Sequence, residues 1–297
     1  MKKPVFTGVA TARVTPMHED TSVNFERLTS LVNEQIAGGV DALVICGTTG
    51  EKSTLNYADH VKVIETAVKA AAGRVPIIAG AGSNDTVYSV GLCNDAVAVG
   101  ADALLMVTPY YNKTSQAGLV AHYTYVADRV DAPIILYNVP SRTGVNIKPE
   151  TYKELSKHPR IVAVKEANGD ISSVATTKQL CGDDLVIYSG NDDQIVPILS
   201  LGGMGVISVL SNILPAETHA ICARFFEGDA AGARELQLKY LPLIHALFSD
   251  VNPIPVKEAM EMLGLQTGPV RLPLVPMAAD KRAALKAELV RVGALKE

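Results

Sequence analysis

"RVTPMHEDTS", residues 13–22, follows the first β-branched run of the chain and contains no glycine. A doubly wound, dinucleotide-binding sheet would place a G-x-G-x-x-G turn here, because only glycine lets the backbone approach a pyrophosphate so closely. Its absence argues against that architecture. The strand-helix repeat that follows must close in another way.

Eight short apolar runs recur along the chain, at residues 6–13, 41–47, 75–82, 101–109, 132–140, 161–167, 185–190 and 205–211. They are nearly continuous in apolar residues, as strands buried on both faces of a parallel sheet are. Helical patterns separate them. Within 24–39, Leu28, Leu31, Val32 and Ile36 form one stripe, with Asn24 placed to cap the start and Gly38-Gly39 the end. Within 56–73, Val61, Ile64 and Val68 form the next stripe and Gly73 ends it. Eight strands alternating with helices predict an α/β fold of the (β/α)8 TIM-barrel type. Beyond residue 214 the helical patterns exceed the one helix needed to close such a barrel. The surplus reads as a small C-terminal helical extension, dividing the chain into a catalytic barrel, 1–228, and a helical domain, 229–297.

The bulk properties are ordinary: 297 residues, 48% hydrophobic, 20% charged, with a formal net charge of −4. No Lys/Arg-rich run is present, so nucleic acid and anionic membranes are poor candidates as partners. The N-terminal stretch lacks a signal-like apolar core and no apolar run reaches transmembrane length. Cys46, Cys93, Cys181 and Cys222 lie far apart and read as buried fillers in a reducing compartment. A cytoplasmic enzyme is the expectation.

In a barrel of this kind the chemistry sits where the strands end. That rule selects "GTTGE" (47–51), "TPYYNK" (108–113), "YNVPSRTG" (137–144), "KEANGD" (165–170) and "SGNDDQ" (189–194). The longer stretch "CGTTGEKST", 46–54, looks like a phosphate cradle, but a Walker A loop would need glycines where Cys46 and Glu51 stand. Glu51 would put a carboxylate against phosphate charge. The amides and hydroxyls of Thr48 and Thr49 can instead hold a small carboxylate, with Gly47 and Gly50 allowing close approach. Lys52 is assigned to the solvated start of the next helix. Arg142 could clamp a second carboxylate.

Lys165 is the outlier among the apolar strands. Ile161, Ala163 and Lys165 share one parity and Val162 and Val164 the other, which points Lys165 into the barrel mouth. A lysine among apolar strands loses hydration, which favours the neutral, nucleophilic amine. The alternative is a lysine that snorkels or pairs with Glu166. Tyr137 ends the neighbouring strand at the same height, and Thr48 and Tyr111 could extend it into a proton relay. A strand-end tyrosine is more often a core residue with a satisfied hydroxyl. Taken together, the four suggest Schiff-base chemistry on a carbonyl compound. The histidines show no metal-ligand spacing, so no metal site is predicted.

"GTTGE", "TPYYNK", "YNVPSRTG", "AVKEA" and "YSGND" together resemble the dihydrodipicolinate synthase family, within the pyruvate-dependent class I aldolases, over essentially the whole chain. The resemblance implies that Lys165 forms a Schiff base with pyruvate. It makes Tyr137 the central relay hydroxyl, linked to Thr48 and to Tyr111, the last reaching in from a neighbouring subunit. It places Thr49 and Ile207 against pyruvate, lines the site with the Gly190 backbone, and gives Arg142 the carboxylate of L-aspartate-4-semialdehyde. It implies no external cofactor, and a homotetramer built as a dimer of dimers, or at least a homodimer. A sibling aldolase acting on N-acetylneuraminate or a keto-deoxy sugar acid is the nearest rival, but a polyol wants hydroxyl partners where Arg142 stands. A barrel that only senses a 2-keto acid would have no need of Lys165, Tyr137 and Thr48 together. Lysine-inhibited members hold lysine in a cleft between subunits. Here His60, Asn84 and Tyr110 are kept, whereas Tyr57, Tyr88 and Lys52 stand where a His, a Glu and a small residue are usual. Weak or absent lysine inhibition is the implied outcome.

Overall fold

A computed structural model describes residues 2–296. Its strands are β1 (Gly8–Ala12), β2 (Ala42–Ile45), β3 (Ile77–Gly80), β4 (Ala103–Val107), β5 (Ile134–Asn138), β6 (Ile161–Glu166), β7 (Val186–Ser189) and β8 (Gly205–Ser208). They pair in parallel and in chain order, and β8 closes on β1. Around them run α1 (Phe25–Ala37), α2 (Tyr57–Ala71), α3 (Thr86–Ala98), α4 (Gln116–Ala127), the single turn α5 (Pro140–Thr143), α6 (Pro149–Leu155), α7 (Ile171–Cys181) and α8 (Ile195–Ser200). Helices α9 (Pro215–Phe226), α10 (Ala230–Leu247), α11 (Ile254–Met262) and α12 (Ala279–Arg291) complete the chain. Each of the eight apolar runs holds one strand, trimmed where the backbone leaves the ladder for a loop.

Period-two alternation sorts the strand residues between two layers. Ala10, Ala42, Val44, Ile78, Leu105 and Ile135 pack inside the barrel, while Leu43, Ile45, Ile77, Leu104 and Leu136 pack under the helices. β6 departs from simple alternation. Its pairing with β5 skips a residue, Ile134 opposing Ile161 and Ile135 opposing Ala163. This irregularity puts Ile161 in the outer layer and Val162 against the inner one, the reverse of the parity expected from sequence. From Ala163 onward the expected parity holds, with Ala163 inside and Val164 outside.

The helices follow their apolar stripes with two changes. α1 starts at Asn24, whose side chain accepts from the Arg27 amide at 2.9 Å. Its buried face ends on Gln35 rather than Ile36, because the Gln35 amide accepts from the Thr11 hydroxyl at 2.6 Å and donates to the Ser211 carbonyl at 3.0 Å. α2 buries His60, Val63, Ile64, Ala67 and Ala71, leaving Val61 and Val68 at the flanks. The two alanines are small enough to approach the barrel, and His60 Nε2 lies 3.0 Å from the Gly80 carbonyl. α2 ends on Ala72 in the left-handed region, one residue before Gly73.

The C-terminal helices are fastened to the barrel in two ways. Tyr240, Leu243 and Leu247 of α10 and Leu285 and Leu289 of α12 share one apolar cluster with Val9 of β1 and Val206 of β8. The second tie is ionic. Lys257 of α11 meets Glu51, in the loop after β2, at 3.0 Å, with side chains only 3% and 1% exposed. The Arg271 amide donates to the other Glu51 oxygen at 2.8 Å, and Lys257 also donates to the Pro269 carbonyl.

Removing one member of a buried pair strands the other charge. Lys257→Met is expected to lower the unfolding free energy by about 3–5 kcal/mol, read by chemical denaturation. The double variant Glu51→Gln/Lys257→Met is expected to recover most of that loss.

Candidate active site

The mouth of the barrel is built by β5, β6 and the loops after β2, β5 and β7. Tyr137 sits directly opposite Lys165, and Lys165 directly opposite Tyr188. Lys165 is 6% exposed, and its Nζ lies 4.4 Å from the centre of the Tyr137 ring, over its face. A cavity of about 160 Å³ opens at this point. Lys165, Tyr137, Thr48, Thr49, Arg142 and Gly190 all line it. At Gly190 a Cβ would fall 2.7 Å from the Ala167 Cβ and 2.9 Å from the Glu166 carbonyl oxygen. Only glycine fits there.

Lys165 is not paired with its neighbour. Alternation turns Glu166 to the outer side of β6, where its carboxylate accepts from Asn138 Nδ2 at 2.9 Å, the Tyr152 hydroxyl at 2.8 Å and the Asn168 amide at 3.0 Å. Burial pushes the Glu166 carboxyl up to about 7 in spite of these donors. The sequence alternative of a Lys165–Glu166 ion pair is therefore not what the chain forms. The carboxylate whose titration feels the Lys165 charge is Asp192, raised by burial and lowered by Ser208, by two backbone amides and by Lys165. Asp192 Oδ2 accepts from the Val209 and Leu210 amides at 2.9 and 3.1 Å.

Three expected residues sit differently. Ile207 is fully buried inside the barrel and does not contribute to the cavity wall. Tyr111 is 92% exposed, with φ at +69°, and also stands outside that wall. Lys52 is corrected outright. It lies in a 3₁₀ turn, not a solvated helix start, and its amine is drawn inward onto the Gly82 carbonyl. Burial lowers its pKa to about 8. It lines a second cleft of about 320 Å³ together with His60, Asn84, Asp85, Tyr88 and Tyr110. Beside that cleft the Tyr57 hydroxyl donates to Asp95 at 2.7 Å. Among the described residues no cluster of three or more His, Cys, Asp or Glu could hold a metal ion.

Three wall residues lie outside the strand-end motifs: Val209 just after β8, and Phe248 and Asn252 from the segment between α10 and α11. The Asn252-Pro253 pair marks a turn, but nothing in its spacing ties it to Thr49, 203 positions away, or to Arg142, 110 positions away. Asn252 Nδ2 donates to Thr49 Oγ1 at 2.9 Å, and its carbonyl accepts from Arg142 Nη2 at 3.3 Å.

A closed (β/α)8 barrel with a buried lysine at the C-terminal ends of its strands, among hydroxyls and an arginine, defines the class of lysine-dependent aldolases and lyases. Within that class the chain belongs to the dihydrodipicolinate synthetase family, whose pattern matches residues 5–292. It is 55% identical over 290 residues to the 4-hydroxy-tetrahydrodipicolinate synthase of Caldicellulosiruptor saccharolyticus, covering 98% of each chain. It is 53% identical over 295 residues to that of Thermoanaerobacter pseudethanolicus, covering 99% of each. The crystal structure of the chloride-inhibited dihydrodipicolinate synthase from Acinetobacter baumannii, complexed with pyruvate, superposes with a TM-score of 0.95. It is 40% identical and the match covers 97% of this chain and 99% of that one.

The perturbed Glu166 carboxyl makes stability depend on pH. As pH rises through 4.5 the unfolded chain releases this proton, while the folded protein keeps it to about 7. Stability therefore falls across that window, by up to about 3 kcal/mol. Denaturation curves between pH 4.5 and 8 are expected to show this decline in the wild-type protein. The decline is expected to be reduced in Glu166→Gln, which has no proton to lose.

Proposed function

We propose that this chain is a lyase that condenses pyruvate with L-aspartate-4-semialdehyde, forming 4-hydroxy-tetrahydrodipicolinate for diaminopimelate and lysine biosynthesis. The observation that carries this reading is Lys165, 6% exposed inside the barrel, in a cavity it shares with Tyr137, Thr48, Thr49 and Arg142. Lys165 Nζ attacks the pyruvate ketone, water leaves, and an imine forms. Loss of a methyl proton gives the enamine, whose carbon attacks the aldehyde. The aldehyde oxygen takes a proton and becomes the 4-hydroxyl. The substrate amine then attacks the imine carbon, closing the ring and expelling the Lys165 amine.

The protein's part is electrostatic and geometric. Thr49 and the Gly190 backbone hold the keto-acid end, with Ile207 beneath, and Arg142 holds the carboxylate of the aldehyde. Tyr137 moves protons between the reacting atoms, with Thr48 and Tyr111 as its relay partners. Among the described residues no hydrogen bond joins Tyr137 to Thr48 or Lys165, and proton-transfer contacts of this kind commonly tighten only when substrate is bound. Tyr111 is too exposed to serve its own cavity and acts in the cavity of a second copy, so the working unit is at least a homodimer. A homotetramer in the cytoplasm is the assembly proposed. No helix among the described residues is long and apolar enough to cross a membrane. The segment beyond residue 228 serves as a helical support whose α10–α11 connection reaches the cavity. No external cofactor takes part in these steps.

Borohydride reduction in the presence of pyruvate is expected to add a reduced pyruvyl group to the peptide carrying Lys165, found by mass mapping. Lys165→Ala should abolish both adduct and turnover. Arg142→Ala should raise the KM for the aldehyde by about tenfold or more while leaving the adduct intact. Tyr111→Phe should slow turnover and spare the adduct. Labelling at another lysine contradicts the assignment.

The second cleft supports weak control by lysine. Lys52 brings a cation to it, and Asp85 is already engaged by the Tyr88 amide at 2.9 Å. Titration with L-lysine is expected to leave activity largely unchanged at submillimolar concentration; half-inhibition there contradicts this.

A further inference from the structure

Asn252 reaches the cavity from the opposite end of the sequence and touches both groups to which the two substrate carboxylates are assigned. It is 6% exposed. Its side-chain Nδ2 donates to Thr49 Oγ1 at 2.9 Å, and its backbone carbonyl takes the Arg142 guanidinium at 3.3 Å. Its own Oδ1 is buried and has no partner among the described residues. The bond to Thr49 is thus the one hydrogen bond its amide group makes there.

The direction of that bond has a chemical consequence. A threonine hydroxyl has one hydrogen and two acceptor lone pairs. An amide nitrogen donates and cannot accept, so the Thr49 hydrogen cannot point back at Asn252 Nδ2. Among the described residues the Thr49 hydroxyl donates to no protein acceptor. Its hydrogen is left for whatever anion enters the cavity. We propose that Asn252 is a positioning residue that fixes the hydrogen-bond polarity of Thr49, holding its hydroxyl as a donor to the keto-acid carboxylate. The inference rests on the keto-acid reading of the cavity given above.

The isosteric change Asn252→Asp separates polarity from packing. A carboxylate in the same place accepts, so the Thr49 hydrogen turns toward residue 252 and its oxygen lone pairs turn toward the keto acid. Asn252→Ala removes the amide and leaves Thr49 free to rotate. A hydrogen bond to a charged group is worth roughly a tenfold to hundredfold change in binding. The pyruvate concentration giving half-maximal borohydride trapping at Lys165 is therefore expected to rise about tenfold or more in Asn252→Asp, and only a few-fold in Asn252→Ala. A residue that merely filled space would tolerate Asp better than Ala.

The added negative charge of Asp is controlled by Thr49→Val, which has no hydroxyl to orient. In that background Asn252→Ala is expected to change half-saturation by less than about twofold, and Asn252→Asp to keep only the loss that its charge imposes on an anionic keto acid, a loss several-fold smaller than beside Thr49. Melting curves check that each variant folds, and if Asn252→Asp does not, the Asn252→Ala/Thr49→Val cycle reads the same coupling. An Asn252→Asp variant that traps pyruvate as well as Asn252→Ala or the wild type overturns the proposal. So do effects at the two positions that simply multiply. Absence of any adduct in the wild-type protein overturns the keto-acid reading itself, and this inference with it. A normal wild-type adduct with no Asn252–Thr49 coupling overturns this inference alone.

Discussion

The arrangement depends on a carboxylate that cannot face water. Glu51, with a left-handed backbone at the end of "GTTGE", turns its side chain into the protein, where Lys257 and the Arg271 amide meet it. A buried charge of this kind is tolerable only when paired and hydrogen-bonded. Satisfying it brings α11 against the loop after β2, and thereby sets Asn252 and Phe248 over the barrel mouth. The same glutamate that disqualifies the loop as a phosphate cradle thus fixes the outline of the cavity.

The strand that carries Lys165 solves a related problem by separation. Two successive residues of β6 are ionisable and buried, yet alternation sends them to opposite faces. Glu166 is satisfied outside the barrel by Asn138, Tyr152 and Asn168. Lys165 inside keeps an aromatic face for company rather than a carboxylate. The alternation thus keeps the Lys165 amine and the Glu166 carboxylate, adjacent in sequence, from meeting.

Much of this was legible in the sequence because barrel strands are short, apolar and regularly spaced, and because strand ends locate the chemistry without knowledge of packing. Thr48, Thr49, Tyr137, Arg142, Lys165 and Gly190 all sit at such ends, and all meet in one cavity. What was not legible depends on one-residue shifts or on distant contacts. The irregular β5–β6 pairing reverses Ile161 and Val162, and no periodicity reveals an extra residue. The α2 face is displaced by one position, with His60, Val63, Ala67 and Ala71 joining Ile64 against the barrel and Val61 and Val68 left at the flanks. Lys52 reads as a surface charge until the turn that carries it is seen to point its amine at Gly82. Asn252 belongs to a connection between helices, and its bond to Thr49 spans 203 positions.

That long reach bears on how the protein comes to be folded during synthesis. Strands β2 to β7 can each pair with the strand just made, so most of the sheet assembles from contacts between successive units. β1 cannot be closed until β8 has emerged. Even then Glu51, made early, has no counter-charge until Lys257 leaves the ribosome, more than two hundred residues later. A nascent chain ending short of α11 carries Glu51 without its partner in a loop that lines the cavity. The enzyme is therefore assembled as a nearly finished scaffold whose cavity-lining loop after β2 is locked only by the last quarter of the polypeptide.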